Sequence, residues 1–128
     1  MFKVGIRNTF HAEHFLRGDF GPESLPHGHS YVLEWVGCTD SLDENGFAVD
    51  IALLEELLRQ EVEAIRGQLL NDLEFFREWQ PSVENMARFF HGRLLEALVG
   101  RGYPVARIVR AELTIWESDS AWASYIAP

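Results

Sequence analysis

The sequence predicts an α+β domain, an antiparallel sheet carrying two helices on one face. Three strand-like segments precede the first helical one, so the chain lacks the alternation that builds parallel sheets. Two segments place apolar residues once per helical turn. The 128 residues suit one domain spanning 1–128, and a chain of that size buries roughly two-thirds of the surface its unfolded form exposes. No internal repeat, low-complexity tract or linker divides it.

Phe2, Val4, Ile6 and Phe10 share one parity with Lys3 and Arg7 on the other, the pattern of a half-buried strand. Gly18, Gly21, Pro22 and Pro26 make residues 18–26 a loop. Ser30 to Val36 is the second strand, alternating Tyr31, Leu33 and Trp35 against Val32, Glu34 and Val36. Asp40 to Gly46 is a turn region ending in the hairpin signal Asn45-Gly46, which makes Phe47 to Asp50 a candidate returning strand. From Ile51 to about Arg66, the residues Leu54, Leu57, Leu58, Val62 and Ile65 form a helical stripe. Val83, Met86, Ala87, Phe90, Leu94 and Leu98 form a second one. Pro81-Ser82 stands at its start, where Ser caps well and Pro is tolerated, and Gly100 and Gly102 end it. Val105 to Glu117 reads as one long strand, and a short final strand is read at Ala121 to Ile126.

With 47% hydrophobic and 24% charged residues, the chain is neither disordered nor collagen-like. Eleven Lys and Arg face twenty Asp and Glu, a formal charge of -9. That balance disfavours nucleic acid and anionic membrane as partners, since both need positive surface. The single cysteine, Cys38, excludes an internal disulfide and a cysteine-only zinc cluster, and reads as a small structural hydrophobe. Residues 1–10 lack the apolar run of a signal peptide, and no stretch nears the roughly 20 apolar residues of a membrane span. A soluble cytoplasmic protein is expected.

Of five histidines, His27 and His29 flank Gly28 at the mouth of the second strand. Two residues apart on an extended chain, their rings point the same way, and Gly28 removes bulk between them. A hairpin-like return across the loop brings His14 beside them. Three neutral imidazoles suit a zinc ion with one open position; the other reading is hydrogen bonding at a strand end. His11 has the opposite parity to His14, and His91 reads as a partly buried or surface helix residue. Glu117 keeps the parity of Leu113 and Ile115, so it points to an otherwise apolar face and needs a partner. That partner is a basic side chain, or a ligand edge offering two N–H donors to its two oxygens. Glu84 lies in the first turn of the second helix, where the helix dipole favours it. Trp116, on the polar parity of its strand, fits either a face covered by another subunit or ordinary partial exposure.

Six segments in order carry a resemblance over nearly the whole chain. These are Phe10-His11-Ala12-Glu13-His14, His27-Gly28-His29-Ser30-Tyr31, Asn45 to Asp50, Leu70-Asn71-Asp72, Pro81-Ser82-Val83-Glu84-Asn85, and Glu117 with Ala121-Trp122-Ala123-Ser124-Tyr125. They resemble motifs of the 6-pyruvoyl-tetrahydropterin synthase family, which includes the 6-carboxy-tetrahydropterin synthases of queuosine biosynthesis. The resemblance implies a tunnelling fold (T-fold), a four-stranded antiparallel sheet with two helices on one face. Three subunits close their sheets into a barrel, and two such trimers stack into a hexamer. It implies zinc held by His14, His27 and His29, and a pterin anchored by Glu117 with Glu84 and Ser82 assisting, in a site between subunits. The usual substrate is 7,8-dihydroneopterin triphosphate.

Two positions depart from the family pattern. The catalytic cysteine stands four residues before the His-Gly-His, and Glu23 occupies that place. Family members with Glu there resemble enzymes that release 6-hydroxymethyl-dihydropterin for folate synthesis. The Asp-His pair upstream of Leu-Asn-Asp is replaced by Arg66 and Gly67, neither an ordinary base at neutral pH. The expectation is a zinc-dependent carbon–oxygen lyase of the family with Glu23 as base; the alternative is a catalytically degenerate pterin-binding or scaffold protein on the same fold.

Overall fold

Alternation in the first strand runs past Phe10: Ile6, Phe10, Ala12 and His14 are buried while the residues between them are half-buried or exposed. The strand therefore extends four residues beyond its apolar signal, because polar His14 occupies a core-facing position. In the computed structural model, which describes residues 1–128, β1 covers Phe2–His14 and β2 His27–Thr39. Then come α1 (Ile51–Glu63), α2 (Glu74–Glu78), α3 (Val83–Gly100), β3 (Arg110–Ser118) and β4 (Ala121–Ala127). Short 3-10 turns lie at Gly21–Ser24, Leu70–Asp72 and Val105–Arg107. The four strands form one antiparallel sheet in the order β1-β2-β3-β4, as expected for an α+β domain.

Two expected strand segments are corrected. Phe47 to Asp50 forms no strand. The Asp43 carboxylate accepts the N–H groups of Asn45 and Phe47, both at 2.9 Å, Gly46 takes a positive φ of 84°, and Asp50 caps α1. β2 already has β1 and β3 on its two sides, so a returning strand has no place beside it. The β3 strand starts at Arg110 rather than Val105, because the preceding 3-10 turn is held away from the sheet. There Arg107 donates to the carbonyls of Ala48 and Ser41, both at 3.1 Å. The short α2, which holds Phe75 and Phe76 and is followed by Trp79, had no periodic signal.

At the start of α1, the Asp50 Oδ1 accepts the Leu53 N–H at 3.1 Å. That satisfies one of the donors a helix start leaves open. Asp50→Ala is expected to lower stability by about 1 kcal/mol, read as a lower urea midpoint with unchanged slope.

The buried stripes of α1 (Leu54, Leu57, Leu58, Val62) and α3 (Met86, Ala87, Phe90, Leu94, Leu98) join one face of the sheet in a single core. Trp35 is its largest fully buried side chain. Its ring lies over Gly37, where an added Cβ would come within 2.3 Å of the indole. Its Nε1–H donates to Nδ1 of His91 at 3.3 Å. His91 is thus an interior residue, 6% exposed, which resolves the two readings of its helix position, partly buried or surface, toward the interior. The indole N–H replaces the water that would otherwise keep this ring at the surface.

Burial pulls the His91 imidazole below its usual value near 6.5. The unfolded chain therefore takes up this proton first as pH falls. Stability should drop below about pH 6.5 and level off once the folded His91 also titrates. Urea unfolding of wild type and His91→Gln at pH 7.5 and 5.5 checks this. The wild type should lose more stability on acidification than the variant, and equal losses would remove His91 as the cause.

The opposite sheet face is open in the single chain. It carries Lys3, Arg7, His11, Glu34, Cys38, Glu112 and Trp116. Trp116 is half-buried there, with the Arg7 guanidinium 5.8 Å from its ring centre. No helix is long and apolar enough to cross a membrane.

Candidate metal centre

The strand register builds the histidine cluster. His14 pairs opposite His27 and Ala12 opposite His29, so all three histidines share the core-facing side at the end of the sheet. Ring centres stand 4.5 Å apart for His14 and His27, 5.3 Å for His14 and His29, and 4.9 Å for His27 and His29. One nitrogen from each ring lies within 4.8 Å of the others. His11 faces the opposite way. It covers Gly28, where an added Cβ would approach its ring to 2.8 Å. The glycine therefore makes room beneath His11 on the outer face, rather than between His27 and His29.

Second partners fix two of the tautomers. The Nδ1–H of His14 donates to the Pro81 carbonyl at 2.8 Å, and that of His27 to the Leu25 carbonyl at 2.7 Å. Each Nε2 is then left as a bare lone pair. All three Nε2 atoms are buried and without a hydrogen-bond partner. Converging lone pairs with no donor are unfavourable in a protein interior, and a cation relieves them. Burial pulls the His14 imidazole below its usual value, and His27 and His29 act the same way; the Pro81 carbonyl and the Glu117 carboxylate oppose them. The neutral form is the one a metal ion needs. Three imidazole nitrogens, two of them on rings oriented by second partners, fit zinc's preference for nitrogen ligands and an open fourth position.

Two carboxylates flank the cluster. Glu23 stands on the 3-10 turn of the loop, its Oε2 3.6 Å from Nε2 of His27. The loop is closed by the Leu16 N–H on the Glu23 carbonyl at 2.8 Å and by Ser24, which donates to Gly18 O at 2.8 Å. Glu117 lies one step past the last paired residues of β2 and β3, Val32 and Trp116, where the ladder becomes irregular. Half-buried and without an ion-pair partner, it faces His14 and Tyr31, favouring the protonated form of both. Tyr31 is fully buried and stacks on Phe10, and its hydroxyl has no partner. Burial first, then Glu117 and Glu23, push its phenol well above the usual range.

Ser82 caps α3, accepting the Asn85 N–H at 3.2 Å, and stands directly after the Pro81 that holds His14. Glu84 is exposed in the first turn, with no hydrogen bond or ion pair to the cluster. Arg66 donates to Glu63 and to the Thr9 carbonyl, and Gly67 turns the chain at φ 75° with its N–H on His11 O.

Three contributions were not read from the sequence, although Tyr31, Asn71 and Pro81 stand in the segments that carry the resemblance. The three are the Pro81 carbonyl, the Tyr31 hydroxyl, and a side-chain clamp on the segment after His14. Asn71 accepts the Phe15 N–H at 2.9 Å and donates to Phe15 O at 3.0 Å. Gln80 does the same for Arg17, at 2.9 Å both ways. Two amide side chains thus continue the ladder that β1 leaves, and Asn71 of the Leu-Asn-Asp segment acts through backbone rather than through chemistry.

A four-stranded antiparallel sheet with its helices on one face and a three-histidine, carboxylate-flanked cluster at its end defines a T-fold domain of the pterin-synthase class. The chain belongs to the 6-pyruvoyl tetrahydropterin synthase family, whose profile matches residues 3–128. A 6-carboxy-5,6,7,8-tetrahydropterin synthase of Aquifex aeolicus is 25% identical over 118 aligned positions, covering 77% of this chain and 72% of that protein. The solved 6-pyruvoyl tetrahydropterin synthase of Caenorhabditis elegans superposes with a TM-score of 0.84 at 20% identity, over 99% of this chain and 96% of that one. A Plasmodium vivax 6-pyruvoyltetrahydropterin synthase superposes with a TM-score of 0.75 at 15% identity, over 98% and 97%; it was solved as a catalytic-residue mutant with a glutamate replaced by alanine.

Proposed function

We propose that this chain is a zinc-dependent pterin lyase acting on 7,8-dihydroneopterin triphosphate or a close relative. The observation that carries the reading is the convergence of three buried, unpartnered imidazole nitrogens beside two carboxylates. His14, His27 and His29 hold the zinc, which as a Lewis acid polarises substrate oxygens and loosens the protons on neighbouring carbons. Glu117 accepts the two N–H donors of the pterin's guanidine-like edge, as a bidentate carboxylate does. Ser82 and Glu84, at the start of α3, assist from the neighbouring surface. Glu23 takes the proton from carbon, as the base in the place where the family carries cysteine. A glutamate is also the residue replaced in the catalytic mutant of the Plasmodium vivax relative. The free edges of β1 and β4 are suited to pairing between copies, in a trimer-based assembly that closes the sheets into a barrel. The lone Cys38 suits a reducing cytoplasm.

A second reading, a pterin-binding protein without turnover, is favoured by Arg66 and Gly67. Both are occupied in holding the end of α1 to β1 and supply no proton relay. Incubating the zinc-loaded protein with 7,8-dihydroneopterin triphosphate and resolving the products by mass separates the two. Conversion supports the lyase, and the product mass names the branch. Bound pterin without conversion supports the second reading, absence of zinc defeats the lyase, and absence of pterin binding defeats both.

A further inference from the structure

Five buried side-chain polar atoms lack a hydrogen-bond partner: Nε2 of the three histidines and the hydroxyls of Tyr31 and Tyr103. The histidine nitrogens are accounted for by a metal, and Tyr103 lies beyond the C-terminal end of α3. Tyr31 remains. Its ring is locked by stacking on its cross-strand partner Phe10, with centres 5.3 Å apart and 29° between planes. The ring centre is 5.4 Å from that of His29 and 6.0 Å from that of His14. On its other side stands Glu117, one register step past Val32 and Trp116. Tyr31 thus shares the core-facing side with the cluster and neighbours Glu117 in the register, and its hydroxyl bonds to neither. A neutral phenol is a good donor, and burying one without an acceptor opposes folding. Packing alone would be served by phenylalanine.

We propose that Tyr31 is a ligand-binding residue whose hydroxyl donates to an oxygen on the side chain of the small molecule seated at the histidine cluster. The assignment rests on the pterin reading and deepens it. A site with a buried donor waiting for an acceptor rejects a ligand that lacks one, because the donor then stays unpaired. Tyr31 thus selects pterins with an oxygenated side chain over pterins with a bare alkyl group. The selectivity arises in binding and requires no proton transfer by the phenol.

Zinc-loaded wild type and Tyr31→Phe are titrated by calorimetry with 7,8-dihydroneopterin, which carries side-chain hydroxyls, and with 6-methyl-7,8-dihydropterin, which carries none. Melting of both metal-free proteins is recorded alongside. The variant should bind dihydroneopterin at least about tenfold more weakly, bind the methyl compound within about twofold of wild type, and keep its zinc. Its metal-free melting temperature should equal or exceed that of wild type, since an orphaned hydroxyl has been removed. Equal affinity of the two proteins for dihydroneopterin overturns the assignment. So does a parallel loss for both ligands with a lowered melting temperature, which marks a structural hydroxyl. If wild type binds neither pterin, the pterin reading falls and this assignment falls with it; wild-type binding without an effect of the substitution sinks the assignment alone.

Discussion

His27→Ala should empty the metal centre. Wild type purified from zinc-containing medium is expected to carry roughly one zinc per chain, and the variant less than about a tenth of that. The remaining pair, His14 and His29, lies on two different strands and offers only two donors. Loss of a mere orienting partner typically weakens a zinc site about 10- to 100-fold, so loss of a ligand should exceed the upper figure. Folding should survive, because His27 sits at the mouth of β2, half-buried, and its removal takes away one of three converging, unpartnered nitrogens. Elemental analysis of the dialysed proteins, with circular dichroism as the folding control, gives the answer. Unchanged zinc content in a folded variant would falsify the three-histidine centre.

The second large effect concerns Glu23. Glu23→Gln keeps the shape of the side chain and the 3-10 turn but removes the basic oxygen. If Glu23 takes the substrate proton, kcat should fall about 10²- to 10⁴-fold, with KM within a few-fold and zinc content unchanged. The 3.6 Å approach of its carboxylate to His27 offers a different role, that of a closing fourth ligand. Zinc loss in Glu23→Gln would select that role and remove the base. Turnover within about threefold of wild type would place the base elsewhere.

Much of the fold was legible because its signals are local. Parity marked β1 and β2, and stripe spacing marked α1 and α3, since each element has one buried face. The errors fell where a distant partner decides. Residues 105–109 alternate like a strand, yet Arg107 is drawn to carbonyls about 60 residues upstream, and no window along the chain contains that contact. Phe47 to Asp50 come after a hairpin signal, but the pairing position beside β2 is taken by β3, a fact of topology rather than of propensity. The same division holds at the site. The parity of His27 and His29 is local, and a simple strand return was enough to place His14. That Pro81, 67 residues away, fixes the His14 ring was legible only in three dimensions. His91 shows the limit of the helix signal. Its spacing was right for the buried stripe, but only the Trp35 N–H makes burial of an imidazole tolerable.

The amide clamps of Asn71 and Gln80 separate what is fixed from what is replaceable. They anchor Phe15 and Arg17 through side chains belonging to another part of the chain, so His14 keeps its place independently of the loop beyond Arg17. The span from Gly18 to Ser24, which carries Glu23, then lies between two secured ends, the amide clamps on one side and the Leu25 carbonyl that holds His27 on the other. Residue 23 can be changed without touching either clamp, whereas the Leu25 position must keep its carbonyl on the His27 ring. For protein engineering this makes residues 18–24 the place to introduce changes, and the two amides and the Leu25 position the places to leave alone.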